Sequence, residues 1–116
     1  MQSIGIDIEE ISRFSKIKFQ KRTTFYKKIF TEKEIQYCMN KKNPYQHFAV
    51  RFCAKEAAIK ALQNKKINLK DIEVVLQDNI PSLILPNGKK GYVSLSHTKK
   101  YAVAVVLIND INMKNL

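Results

Sequence analysis

The sequence has few of the residues on which several common classes of protein depend. It contains three glycines in 116 residues, and neither a Walker A loop nor a Rossmann fingerprint occurs in it. Its two cysteines, Cys38 and Cys53, exclude a disulfide framework and are typical of reduced thiols in a cytosolic protein. No run approaches the ~20 apolar residues of a membrane-spanning helix, and the first residues show no secretory signal. We therefore predict a cytoplasmic protein that neither spans nor binds a membrane.

Positive charge is what the chain has in excess. Twenty-one Lys and Arg against ten Asp and Glu give a formal net charge of +11, which favours an acidic partner. The codon bias of an AT-rich genome explains the total equally well. It does not explain why residues 13–28 contain seven basic side chains and no acidic one. This basic segment is predicted to be a helix that presents Arg13, Ile17 and Lys21 on one face.

The order of predicted elements is one strand, three helices and then an antiparallel β meander, which defines an α+β fold. Residues 3–9 alternate as a strand does, and Thr31 and Glu34 form a capping box that starts a short helix ending near Asn40. After a loop at 41–45, an Ala-rich run predicts the longest helix. The predicted ranges are 46–64 for this helix and 72–77, 82–85, 92–97 and 101–108 for the later strands, separated by turns at 78–81 and 86–89. The last strand is apolar on both faces, so we expect both to be buried. No linker divides the chain, which predicts one domain over residues 1–116.

Three side chains are candidates for a cation and phosphate site. Asp7 stands in an otherwise apolar strand, and Glu56 lies mid-helix with Lys60 four residues later. Each has an ordinary interpretation: Asp7 caps the next helix, and Glu56 forms an exposed ion pair with Lys60. Together, two carboxylates from different elements match the partial cage that Mg²⁺ uses with water and substrate phosphates. Lys60, and Arg51 on the same helix, offer positive charge to those phosphates.

Three segments, in order, resemble the holo-acyl-carrier-protein synthases, which are small phosphopantetheinyl transferases. The most specific is the middle one. The segments read Gly5-Ile-Asp7-Ile-Glu-Glu-Ile11, then Arg51-Phe-Cys-Ala-Lys-Glu56-Ala-Ala-Ile-Lys60-Ala61, then Ser94-Leu-Ser-His97-Thr-Lys-Lys-Tyr101-Ala-Val-Ala. The resemblance implies a magnesium-dependent enzyme of fatty acid biosynthesis that transfers phosphopantetheine from coenzyme A to a serine of apo acyl carrier protein. It also implies a homotrimer with active sites between neighbouring subunits.

The resemblance implies a role for each matching residue. Asp7 and Glu56 match the Mg²⁺ ligands, and Lys60 matches the lysine near the coenzyme A phosphates. His97 matches the histidine of the coenzyme A site, and Arg51 a basic residue on the approach to that site. Arg13 matches the arginine on the first helix that meets the acidic carrier protein.

Two alternatives remain open at this point. A small basic nucleic-acid-binding protein accounts for the charge, although the chain has no tryptophan and no recognisable nucleic-acid motif. An inactive member of the family is the other alternative. Members commonly follow the long helix with a Gly-rich turn, whereas here Leu62-Gln-Asn-Lys-Lys-Ile-Asn-Leu69 contains no glycine.

Overall fold

The computed structural model describes residues 1–109 and confirms the α+β class. It has four α-helices where three were predicted. Two 3₁₀ turns, Phe19–Lys21 and Leu69–Asp71, follow α1 and α4 respectively. The elements are β1 (Ser3–Glu10), α1 (Ser12–Ser15), α2 (Thr23–Ile29), α3 (Glu32–Met39), α4 (Pro44–Leu62), β2 (Glu73–Gln77), β3 (Ile80–Ile84), β4 (Lys90–His97) and β5 (Tyr101–Ile108). The single domain over 1–116 stays a prediction, and its residues 110–116 lie outside the described part.

All five strands form one antiparallel sheet in the order β1-β5-β4-β3-β2. The predicted meander is therefore correct, and the N-terminal strand joins it by pairing with the last one. The first turn of the meander is tighter than expected. Asp78 and Asn79 alone form it, both with positive φ (54° and 64°), the geometry of a two-residue hairpin. Ile80 and Pro81 already belong to β3.

The long helix α4 lies across β1 and β5 and supplies most of the core on that face. It begins at Pro44, inside the predicted loop, because proline fits the first position of a helix. It ends at Leu62, where Gln63 adopts a left-handed conformation with φ 56°. Gly5 lets helix and strand come close, since a Cβ there would lie 1.9 Å from the carbonyl oxygen of Ala57.

The prediction of one continuous helix through the basic segment is wrong. α1 has only four residues, Lys18 is extended (φ −64°, ψ 134°), and a 3₁₀ turn precedes α2. The buried Tyr26 gives the reason, because its hydroxyl donates to the carbonyl oxygens of Phe14 and Ile17. Tertiary packing thus overrides helix propensity.

Because the segment is not one helix, the predicted docking face does not form. Arg13 lies in α1, Ile17 follows the C-cap of α1, and Lys21 closes the first 3₁₀ turn. They do not form the i, i+4, i+8 face of a single helix that the sequence suggested. Arg13 alone remains on a helix next to the acidic strand β1.

The sheet surface opposite α4 is apolar and uncovered. Ile4, Ile6 and Ile8 of β1 are 69%, 59% and 61% exposed, and their cross-strand neighbours Leu107 and Val105 in β5 are only half-buried. The expectation that β5 is buried on both faces is therefore wrong for the isolated chain. Its buried face meets α4, and nothing in the described part covers the other.

Both cysteines behave as predicted. Cys38 in α3 and Cys53 in α4 are free and buried, and burial is the main reason that the pKa of each thiol rises to about 12. Each therefore stays a protonated, unreactive thiol at neutral pH. Among the described residues, no helix is long and apolar enough to cross a bilayer.

Candidate active site

A group of acidic side chains forms where β1 faces α4. Alternation along the strand places Asp7 and Glu9 on the same face, and Glu56 projects towards them from α4. Burial, followed by the negative charges of Asp7 and Glu9, raises the pKa of Glu56 above its ordinary value. The structure therefore brings together the two predicted carboxylates, Asp7 and Glu56, from two different elements.

Lys60 completes this group in a way the sequence did not suggest. Its Nζ lies 3.2 Å from Asp7 Oδ1 and also donates to the Ile6 carbonyl oxygen at 3.0 Å. The ordinary interpretations of these residues are thus wrong. Lys60 pairs across to β1 rather than along α4, and Asp7 does not cap α1, whose N-cap is Ile11.

The acidic group fits a hard cation. Asp7 Oδ2 is buried and has no hydrogen-bond partner, which is a costly state for a carboxylate oxygen. Burial, and then the nearby carboxylates of Asp7 and Glu9, raise the pKa of Glu56, so a cation bound there would offset an unfavourable charge. Among the described residues no cluster of three or more His, Cys, Asp or Glu has metal-binding geometry. Two carboxylates suit Mg²⁺, which fills its remaining positions with water and phosphate.

Glu9 is a member of the site that sequence reasoning missed. Arg13 Nη1 lies 3.1 Å from both of its carboxylate oxygens, and the Arg13 guanidinium stacks 4.7 Å from the ring centre of Phe52. The predicted carrier-docking residue is therefore tied directly to the acidic group. The signal was present in the sequence, since Glu9 stands two residues after Asp7 and four before Arg13.

An open cavity of 710 Å³ adjoins Glu56 and Lys60. It runs between α4 and the segment that leads to β2, and its walls are largely apolar with a few amide and lysine groups. This combination is typical of a small-molecule site. The lining residues are Glu56, Ile59, Lys60, Gln63, Asn64, Lys65, Ile67 and Leu69.

A second, cationic group contains the other two predicted site residues. His97, at the end of β4, contacts Gln46 with 2.9 Å between His97 Nε2 and Gln46 Nε2. Arg51 is buried, lies 4.1 Å from the ring centre of Tyr37, and has an unpartnered Nε. Burial, and then the positive charge of Arg51, lower the pKa of His47.

Within one chain the two groups are separate. Arg51 and Glu56 are five residues apart on α4, which places them about 140° apart around the helix axis. Gln46, the contact of His97, lies ten residues before Glu56, or about 15 Å along that axis. Arg51 and His97 are thus not brought to Asp7, Glu56 and Lys60 by the fold of a single chain.

The comparisons with known proteins identify the class. A family model described as the 4′-phosphopantetheinyl transferase superfamily matches residues 3–106. The chain belongs to this superfamily of transferases. Within it, the chain belongs to the holo-acyl-carrier-protein synthases. The holo-[acyl-carrier-protein] synthase of Thermodesulfovibrio yellowstonii is 43% identical over 93% of this chain and 98% of that protein. This membership favours an enzyme over the nucleic-acid-binding alternative.

Solved structures agree with the assignment and with the fold. The synthase from Bacillus anthracis, solved in complex with coenzyme A (3′,5′-ADP), superimposes with a TM-score of 0.78 at 36% identity, covering 90% of this chain and 93% of that one. The Helicobacter pylori synthase, solved in complex with coenzyme A, gives 0.75 at 33% identity and covers 89% and 96%. The sequence-based identification of the family is confirmed.

Proposed function

We infer that this chain transfers the phosphopantetheine group of coenzyme A to a serine of an apo acyl carrier protein, which leaves adenosine 3′,5′-bisphosphate. The observation that carries the inference is the meeting of Asp7, Glu56 and Lys60 beside an open cavity, in a chain that belongs to the synthase family. The same observation argues against an inactive member, because the acidic pair and the lysine are all present and assembled.

Asp7 and Glu56 are the residues that we propose as ligands for Mg²⁺. When bound, Mg²⁺ neutralises charge on the pyrophosphate and on the phosphate being transferred. Lys60 is half exposed and is one of the residues that line the cavity. We assign to it the stabilisation of the phosphate oxygens, as a point charge in a partly desolvated site. The nucleophile is the carrier's own serine, so no nucleophilic side chain is required of this chain.

The carrier docks, in this proposal, on the basic segment that begins at α1. Carrier proteins of this kind are acidic, and the net charge of +11 favours their approach. Arg13 is the central residue of the proposed surface because it is exposed on α1 and adjoins Glu9 of the acidic group. Ile17 and Lys21 lie farther along the same segment, and we retain them as outer contacts rather than as one helical face.

We further propose a homotrimer whose active sites lie between neighbouring chains. Two observations support it. The uncovered face of the sheet carries Ile4, Ile6 and Ile8, and an exposed apolar patch of this kind usually marks an interface. Arg51 and His97 lie away from Asp7 and Glu56 within one chain, so a neighbour is needed to place them on the same coenzyme A. Sedimentation equilibrium is expected to give close to three times 13.5 kDa, and a fully active monomer would refute shared sites.

The decisive test of function is mass spectrometry of an apo acyl carrier protein incubated with coenzyme A, Mg²⁺ and this protein. A mass gain of one phosphopantetheine on the carrier, absent when its acceptor serine is replaced by alanine, is the expected result. No gain with any acyl carrier protein from the source cell would refute the proposal. A cytoplasmic location belongs to the same proposal, since coenzyme A and the carrier are met there.

A further inference from the structure

A buried ion pair joins α4 to α3 and takes no part in the chemistry described so far. Lys55 Nζ and Glu34 Oε1 are 2.7 Å apart, and the two side chains are 0% and 1% exposed. Lys55 immediately precedes Glu56 on α4, but it projects towards α3 and β2 instead of the acidic group. The position of Lys55 in the motif therefore does not bring its charge to a phosphate.

The pair connects four elements through hydrogen bonds. Lys55 Nζ also donates to the carbonyl oxygens of Leu69 at 3.1 Å and Ile72 at 2.6 Å, so all three ammonium protons have acceptors. Glu34 accepts from the backbone N–H of Thr31 at 2.8 Å and of Val74 at 2.8 Å. The start of α3, the middle of α4, the second 3₁₀ turn and β2 are therefore held at fixed distances from one another.

Leu69, whose carbonyl oxygen accepts from Lys55, and Ile67, two residues before it, form a wall of the cavity. Ile67 and Leu69 line it together with Glu56 and Lys60. The stretch from Leu62 to Leu69 contains no glycine, so it cannot present a Gly-rich turn to a nucleotide. Its course depends instead on where its C-terminal end is attached, and the Leu69 carbonyl is attached to Lys55.

Stability alone is a poor explanation of this arrangement. Two buried charges lose their hydration, and apolar or neutral replacements of similar volume are often as stable. Burial lowers the pKa of Lys55, although Glu34 acts in the opposite direction. Loss of hydration therefore outweighs the attraction of the partner carboxylate. The pair does fix relative positions, because one ammonium group holds three oxygens from different segments in a single geometry.

We propose that Lys55 and Glu34 are positioning residues for coenzyme A: they hold the wall formed by Ile67 and Leu69 at its distance from Glu56 and Lys60. This inference rests on the proposed function of the cavity. It predicts that loss of the pair weakens coenzyme A binding far more than it affects the carrier, because Arg13, the central residue of the proposed docking surface, contacts Glu9 and Phe52 and not this pair.

The test replaces the pair by a neutral one, Lys55→Met with Glu34→Gln, which avoids an unpaired buried charge. Isothermal titration with coenzyme A and Mg²⁺ is expected to show a Kd raised by about tenfold or more, a loss comparable to that caused by removing an outer-shell partner of a metal ligand. The KM for coenzyme A should follow, while the KM for the carrier stays within about twofold. Hydrogen exchange of residues 64–72 in the ligand-free enzyme should become faster.

Leu83→Ala is the matched control, since it removes buried volume from β3 without touching the cavity wall. It is expected to lower Tm and leave the coenzyme A Kd unchanged, which separates positioning from general loss of stability. If the double variant does not fold, Lys55→Arg serves in its place, because a guanidinium keeps the ion pair but cannot reach both carbonyls in the same geometry. A folded variant with wild-type coenzyme A affinity overturns the positioning role. If the wild-type protein itself fails to bind coenzyme A, the proposed function falls instead.

Discussion

Replacing Asp7 by asparagine separates the chemistry of the site from its stability. The carboxylate has two oxygens in different situations: Oδ1 lies 3.2 Å from Lys60 Nζ, and the buried Oδ2 has no partner. Asparagine keeps the shape of the side chain and removes the charge. If the site holds Mg²⁺, the substitution removes one of two anionic ligands and leaves Glu56 alone.

The two expected losses differ in size. The ion pair with Lys60 contributes at most about 1 kcal/mol to folding, because the lysine is half exposed and solvent screens it. Loss of a charged group that stabilises a transition state typically costs about 3–4 kcal/mol, or about 10²–10³ in kcat. Activity should therefore fall by orders of magnitude while Tm moves by only a few degrees.

Both quantities are measurable on the same samples. Transfer is followed by mass spectrometry of the carrier over a range of Mg²⁺ concentrations, and Tm by circular dichroism. Glu32→Gln, which removes an equal charge from an exposed position on α3, is the control and should retain full activity. Wild-type rates in Asp7→Asn, or full wild-type activity in excess chelator, would refute the reasoning.

The remaining predictions concern neighbouring residues. Glu56→Gln should abolish transfer yet raise the Tm of the metal-free protein at neutral pH. The raised pKa of Glu56 means that the folded state disfavours its charged form, so the gain is present above the folded pKa and disappears as the pH falls below the ordinary carboxyl value; an equal gain at acid pH would contradict this. Arg13→Ala should raise the carrier KM with little change in the coenzyme A KM. Arg13→Glu should also lower kcat, because it places a further carboxylate beside Glu9; steady-state kinetics in which both variants behave alike would refute the link to the acidic group. Gly5→Ala should lower the free energy of unfolding by about 3 kcal/mol or more, since its Cβ would meet a carbonyl oxygen of α4 at 1.9 Å and overpacking is costly. Urea denaturation measures this, and Gly91→Ala, whose nearest neighbour would be at 3.4 Å, should lose far less.

The parts of the fold that local patterns determine were predictable. The capping box at Thr31 and Glu34 is present as expected, and α3 begins after it. The alternation of β1 and the apolar run of β5 predicted strands that the structure contains. The pair Asp7 and Glu56 was predictable because a carboxylate is unusual in an apolar strand such as β1, and because the motif around Glu56 was specific.

What depended on long-range contacts was not predictable. The hydroxyl of Tyr26 bonds to Ile17 and Phe14, 9 and 12 residues earlier, which is farther than the spacing of any helical pattern. Lys60 pairs with a strand 53 residues away instead of with its neighbour on α4. Arg51 and His97 were predicted from the family motif, and spacing alone could not reveal that one chain keeps them apart from Asp7.

Every residue from Ile4 to Glu9 in β1 has a place on one of two different surfaces. Ile4, Ile6 and Ile8 face outwards, while Gly5, Asp7 and Glu9 face α4. A slip of one residue in its pairing with β5 would exchange the two faces completely, placing isoleucine against the helix and carboxylates on the outer surface. An insertion or deletion in this strand would therefore damage the candidate active site and the proposed subunit interface in a single event. Redesign of the interface must accordingly proceed by substitution at alternate positions, with the length of the strand unchanged.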